Sequence, residues 1–159
     1  LGDVYKRQQQ GRTGALDDAA ANDGFNLVTQ QTAEWNAEKA QQIVQSVIDA
    51  GTPFNVIYAE NDDMAKGAVA ALDKANISHG VGKDVIVMGF DCNKWALEEL
   101  KAGNWNYDGQ CNPFQASYID EIIKKLENGE TISEKTIIMD EKGFDATTIT
   151  QEDVDNYGI

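Results

Sequence analysis

Acidic and amide side chains are concentrated at two points of the sequence, and each point follows an apolar run. Glu60, Asn61, Asp62 and Asp63 follow the segment FNVIYA, and Asp91 follows VIVMGF. An amide both donates and accepts hydrogen bonds, and a carboxylate accepts them from two hydroxyl groups. This combination suits a sugar or another polyol better than a phosphate, because carboxylates repel an anion. Asn and Asp also cap helix N-termini, so a structural interpretation stays open for each of them.

Three further side chains are candidates for the same site. Trp35 follows a predicted strand and offers a flat face for the C–H side of a sugar ring, although a loop aromatic that only packs on the domain fits equally well. Gln110 lies near the end of a later strand, where only one of Gln110 and Cys111 can face the site if the strand alternates. Arg12 precedes a helix, and a surface charge is its alternative interpretation.

These candidates lie between apolar segments that alternate in type. The periodicity predicts strands at 25–31, 54–59, 84–90, 106–112 and 135–140, and helices at 12–22, 36–51, 62–75, 93–102 and 113–128. Strands that alternate with helices indicate an α/β fold built from βαβ units around a parallel sheet. Ligands of such sheets bind beyond the carboxyl ends of the strands. We therefore expect Asn61 and Asp91 to reach into one crevice.

Composition and charge argue against several other classes of protein. The formal charge of −14 disfavours nucleic acid and anionic membranes as partners, and no apolar run is long enough to span a bilayer. The two cysteines do not form a zinc-binding pattern, and two free thiols are favoured over a disulfide. No nucleophile and base can be assembled around the single histidine, His79, so we predict neither an enzyme nor a cofactor. A small hydrolase using Cys111 or Asp91 is the enzymatic alternative.

Three segments resemble the periplasmic sugar-binding proteins of ABC importers, in their galactofuranose/ribose branch. They are NVIYAENDDMAKGAVAALDKA (55–75), DVIVMGFD (84–91) and the proline at 113 that follows the fourth strand. The resemblance implies the type I periplasmic binding protein fold, in which two α/β lobes joined by three crossovers hold the ligand between them. It also implies that the ligand is contacted by Asn61, Asp91, Trp35, Gln110 and Arg12.

The resemblance further implies how the chain is divided. We expect residues 1–10 to be a non-native or disordered start, because LGDVYKRQ lacks Met and has no periodicity. Residues 11–112 would form the second, C-terminal sugar-binding lobe. Residues 113–159 would be a crossover helix, a strand and a tail that belong mainly to a first lobe largely missing from this fragment. A fragment of this kind is expected to bind sugar weakly or not at all.

The implied function is an extracytoplasmic, periplasmic solute-binding subunit. It would capture a monosaccharide between two lobes and present it to the membrane permease of an ABC importer. The alternative is the effector-binding domain of a LacI-type transcription regulator, which has a related fold. We expect no nucleic-acid partner, no metal and no membrane insertion for this fragment.

Overall fold

A four-stranded sheet in the order β1-β2-β3-β4 forms the centre of the computed structural model, which describes residues 2–159 and the side chains from Gln8 onward. Strands β1 (Val56–Tyr58), β2 (Ile86–Asp91) and β3 (Tyr107–Gln110) are parallel, and β4 (Gly143–Asp145) is antiparallel to β3. The helices are α1 (Gly2–Asn22), α2 (Ala37–Asp49), α3 (Asp62–Lys74), α4 (Lys94–Lys101), α5 (Ala116–Glu127) and α6 (Gln151–Tyr157).

The hydrophobic core lies between the sheet and the helices that connect its strands. Helix α3 packs against α2, β1 and β2 because its small and apolar residues recur at helical spacing. Gly67 permits this packing, since a Cβ there would lie 2.0 Å from the backbone oxygen of Ala37. The largest fully buried apolar side chains are Leu72, Val85, Val87, Leu97, Leu100, Trp105 and Val154. The predicted α/β class with a mainly parallel sheet is confirmed.

The predicted strand at 25–31 is wrong. The segment is extended but unpaired, its residues Phe25, Leu27 and Val28 are exposed, and no strand among residues 2–159 pairs with the outer edge of β1. Alternating apolar residues are compatible with a strand, but a strand also needs a partner for its backbone groups. Here the segment instead contacts α1, where Gln30 Nε2 donates to Asp17 Oδ1 at 3.3 Å.

The predicted strand at 135–140 is also wrong, and its apolar residues Ile137 and Ile138 are exposed. The free edge of β3 is occupied by β4 instead, with Phe144 paired to Asp108. Helix α5 forms where a helix was predicted, yet none of its residues is buried, and its apolar stripe is exposed together with Phe114. No described helix is long and apolar enough to cross a membrane.

Helix α1 begins at Gly2, ten residues before the predicted start at residue 12. Residues 2–10 are therefore helical where disorder was expected, and residue 1 lies outside the described part. Gln, Lys and Arg are good helix formers, and a helix already nucleated at 12–22 extends without the cost of a new nucleus. The expectation that residues 1–10 are non-native is a separate one and stays a prediction, as does the division into lobes at 112.

Candidate functional site

Arg12 of α1 lies across the carboxyl ends of β1 and β2. Its guanidinium donates to the backbone oxygen of Glu60 and, at 3.3 Å, to Oδ1 of Asp91. The same group lies 4.8 Å from the ring centroid of Phe90, which is a cation–π distance. The Tyr58 hydroxyl donates to the backbone oxygen of Arg12 at 3.0 Å. These contacts fix α1 above the edge of the sheet where the sequence placed the site.

Asp91 ends β2 in a backbone conformation that non-glycine residues rarely adopt. Its φ is +119°, and that of Cys92 is +61°. Such strained positions persist only where the surroundings hold them. Asp62 is one such group, since its Oδ2 accepts from the backbone N–H of Asn93 at 2.8 Å and from its Nδ2 at 3.1 Å. The backbone N–H of Ile159 also donates to the Cys92 carbonyl, at 3.1 Å. Burial raises the pKa of the Asp91 carboxyl, and the neighbouring Arg12 guanidinium opposes that rise.

Asn61 serves as the N-cap of α3. Its Oδ1 accepts from the backbone N–H of Met64 at 2.9 Å, so the structural interpretation of this residue holds. Its Nδ2 donates no hydrogen bond to any described residue, and the amide group therefore keeps two donors for a ligand. Beside it, the Thr13 hydroxyl donates to the Glu60 carboxylate. The capping and ligand-binding interpretations of Asn61 are compatible, because they use different atoms.

Gln110 is the register partner of Asp91 in the adjacent strand. Its side-chain Oε1 accepts from the backbone N–H of Lys142 at 3.2 Å, and its backbone N–H donates to the Lys142 carbonyl at 2.8 Å. The neighbouring Cys111 also lies near Arg12 and Asp91, and its Sγ accepts from Gln8 Nε2 at 2.9 Å. Burial raises the pKa of the Cys111 thiol, and Asp91 raises it further. The predicted ligand contact of Gln110 stays a prediction, and Cys111 is a second candidate at the same strand end.

We call the residues gathered at this edge the polar cluster: Arg12, Thr13, Glu60, Asn61, Asp91 and Cys111. The cluster combines carboxylate acceptors with guanidinium and amide donors. Next to it lie Tyr58 and Phe90, a T-shaped aromatic pair whose ring centroids are 5.3 Å apart. That arrangement suits hydroxyl groups. Among the side chains from Gln8 onward, no group of three His, Cys, Asp or Glu could hold a metal ion. Both cysteines are free thiols.

Trp35 lies apart from the polar cluster but borders a space that reaches it. A cavity of about 580 Å³ lies between the segment 25–35, α2 and the outer edge of β1. Its lining is largely apolar and includes Trp35, and at one end it includes Thr13 and Glu60 of the polar cluster. Trp35 is held in the left-handed region at φ +61° and is partly exposed. Its predicted stacking role stays a prediction.

The sequence did not predict that Thr13 and Glu60 contact each other between α1 and the sheet. It also did not predict that Tyr58 and Phe90 pack beside the polar cluster. The aromatic residues belong to apolar runs that were assigned to the core of the sheet, and alternation alone does not say which of them ends at an edge. Thr13 has no sequence signal at all, because its role depends on where α1 crosses the sheet.

A comparison with known protein families identifies the family of this chain. Residues 2–131 match the model of the periplasmic binding protein domain. The chain belongs to this family. It is 31% identical over 146 residues to the fructose import binding protein FruE of Bifidobacterium longum. The aligned region covers 91% of this chain and 42% of that protein. It is 32% identical over 81 residues to the ribose import binding protein RbsB of Bacillus subtilis, covering 51% of this chain and 25% of that protein.

Solved structures of this periplasmic binding protein family have the same fold. An ABC transporter periplasmic solute-binding protein from Actinobacillus succinogenes with bound D-allose superposes with a TM-score of 0.75 at 29% identity, over 94% of this chain and 50% of that one. A Caulobacter myo-inositol binding protein bound to myo-inositol superposes with a TM-score of 0.68 at 28% identity, over 89% of this chain and 46% of that one. The chain spans half or less of the length of these relatives. The resemblance to the sugar-binding proteins and the type I fold are confirmed.

Proposed function

We propose that this protein is the sugar-binding subunit of an ABC importer and that the polar cluster contributes one wall of its ligand site. The observation that supports this most strongly is the pairing of Arg12 with Asp91 beside the free amide donors of Asn61. All three side chains lie where ligands of parallel sheets bind. Together they supply hydrogen-bond donors and acceptors of the kind that bind the hydroxyl groups of a polyol.

The relatives reported above support a transporter subunit more than a regulator, because they are named as import or solute-binding proteins. They also support a binding protein over an enzyme. In the structure, His79 contacts Asp73 Oδ1 at 3.1 Å and the Asn104 carbonyl at 2.8 Å, away from the polar cluster. The candidate base of a hydrolase is thus not beside Asp91 or Cys111.

In this proposal the protein acts outside the cytoplasm. The ligand is a monosaccharide or cyclitol held between two lobes, and lobe closure creates the surface that a membrane permease recognises. The chain spans half or less of its relatives, so it supplies only part of such a pocket. We therefore expect this chain to bind its sugar weakly, with a dissociation constant of roughly 1 mM, which titrations at high sugar concentration detect.

Thermal-shift and calorimetric titrations of the chain test the proposal. Aldoses, ketoses and myo-inositol form one panel, and amino acids, phosphate and duplex DNA form the other. At least one sugar or cyclitol is expected to raise the melting temperature, and Asp91→Ala is expected to abolish that rise. Asp23→Ala, at an exposed site, is the matched control. A rise only with members of the second panel, or none with any carbohydrate, would contradict the proposal.

A further inference from the structure

Two carboxyl groups lie buried behind the polar cluster. Asp62 at the start of α3 and Asp108 in β3 are both fully inaccessible to solvent. Asp62 Oδ1 and Asp108 Oδ2 have no hydrogen-bond donor in the part of the chain whose side chains the structure describes. An acceptor buried without a donor is costly, and two buried carboxylates in contact cannot both be ionised at low cost. The two unpaired oxygens therefore need an explanation.

The geometry of the sheet brings these two groups together. Asp108 is the register partner of Gly89 in the adjacent strand, so its side chain projects from the same face. Asp62 Oδ1 lies directly over Gly89, where an added Cβ would be only 2.7 Å from it. The two carboxyl groups therefore lie beside each other on the Gly89 face, and each affects the pKa of the other. A proton on one carboxyl makes it a donor to the other, so that a single hydrogen bond pairs both groups.

We propose that Asp62 and Asp108 share one proton in a buried carboxyl–carboxylate hydrogen bond, and that this pair positions the strained turn carrying Asp91. Asp62 uses its other oxygen, Oδ2, to accept from both N–H groups of Asn93. The shared proton thus fixes the orientation of the carboxyl that holds the turn. The proton pair and its effect on the turn do not rest on the proposed function. Only a consequence for sugar affinity, through the position of Asp91, rests on it.

The surroundings favour a proton on Asp108. Burial raises the pKa of both carboxyls, and the contact with Asp62 raises that of Asp108 further, whereas the hydrogen bonds that Asp62 accepts oppose its own rise. The titratable groups that face the pair are Asp91 and Cys92 from the end of β2 and Tyr107 from β3. The Cys92 thiol lies 3.8 Å from Asp108 Oδ1. From α1, the Arg12 guanidinium pairs with Asp91.

The shared proton makes stability depend on pH with a definite sign. In the unfolded chain both carboxyls titrate near pH 4, at about their ordinary value. In the folded protein their pKa values are raised, so the folded state binds more protons above that pH. The pair's contribution to stability is complete below about pH 4 and is lost as the pH rises through the raised values. One retained proton changes the unfolding constant by up to about tenfold per pH unit.

Urea unfolding of the wild type, Asp108→Asn and Asp23→Asn from about pH 5 to about pH 9 tests the proposal. The side-chain amide introduced by Asp108→Asn can donate to Asp62 without a titratable proton. The unfolding constant of the wild type is therefore expected to rise relative to that of Asp108→Asn, by up to about tenfold per pH unit over part of this range. Asp23→Asn, which removes an exposed charge, is expected to follow the wild type. Parallel profiles for the wild type and Asp108→Asn would overturn the proposal.

Carboxyl ¹³C NMR of the wild-type chain gives a second test, and its first measurement needs no variant to fold. The Asp108 carboxyl is expected to resonate as a protonated acid at neutral pH, and an ionised signal would overturn the proposal. The amide signals of Asp91, Cys92 and Asn93 are expected to move with the same titration in the wild type and to stay fixed in Asp108→Asn. If these signals move while no sugar binds, the proposed function fails and the proton pair stands.

Discussion

Replacement of Gly89 by alanine is expected to destabilise the fold, although it adds only one methyl group. The added Cβ would lie 2.7 Å from Asp62 Oδ1 and 2.8 Å from Cζ3 of Trp105. Both neighbours are buried, and Asp62 is also held by Asn93, so neither moves away freely. Overpacking of this kind costs about 1–3 kcal/mol. Displacement of Asp62 would in addition release the turn at Asp91.

Urea unfolding followed by tryptophan fluorescence and far-ultraviolet circular dichroism measures the effect. Gly14→Ala is the matched control, because its Cβ would meet no atom within 4 Å and Gly14 lies inside α1. In a helix interior alanine is favoured over glycine by about 0.5–1 kcal/mol, so this variant is expected to be no less stable than the wild type and more helical. A free energy of unfolding for Gly89→Ala within about 0.5 kcal/mol of the wild type would refute the packing described at β2.

Three further outcomes are expected. Thr150→Ala removes the capping box of α6 and should lower the free energy of unfolding by about 1 kcal/mol, and an unchanged urea midpoint would contradict this. Asn61→Asp keeps the α3 cap but removes the amide donors, so stability should be retained while sugar affinity falls; equal affinity would show that Asn61 is only a cap. In thiol labelling of the native protein, Cys111 should react before Cys92, because Cys92 is buried and burial raises its thiol pKa; equal rates would contradict the structure.

The helices and the three parallel strands could be predicted from the sequence because their apolar residues recur at the spacing that packing requires. The segments 25–31 and 135–140 carry equally good strand patterns and are not strands. A pattern shows that one face can be buried, but it does not show that the backbone finds a partner: a cavity lies between segment 25–35 and the unpaired outer edge of β1. That information belongs to the tertiary structure, and the short β4 illustrates it by occupying the edge of β3.

The candidate site could be predicted only as far as strand order allows. Asn61 and Asp91 end neighbouring strands, so their common edge follows from the βαβ pattern. The choice between Gln110 and Cys111 depends on the register of β3, which the sequence leaves open. The pairing of Asp62 with Asp108 depends on close contact over Gly89, and neither residue carries a signal for the other in the sequence.

A sugar titration followed by two-dimensional ¹H–¹⁵N NMR tests most directly whether the polar cluster is part of a sugar site. With a monosaccharide or myo-inositol, the side-chain amide signal of Asn61 and the backbone signal of Asp91 are expected to shift together and to saturate along one binding curve. The same signals should stay fixed in Asp91→Ala. Shifts confined to residues remote from this edge, or none in the Asn61 side chain and at Asp91, would contradict the account.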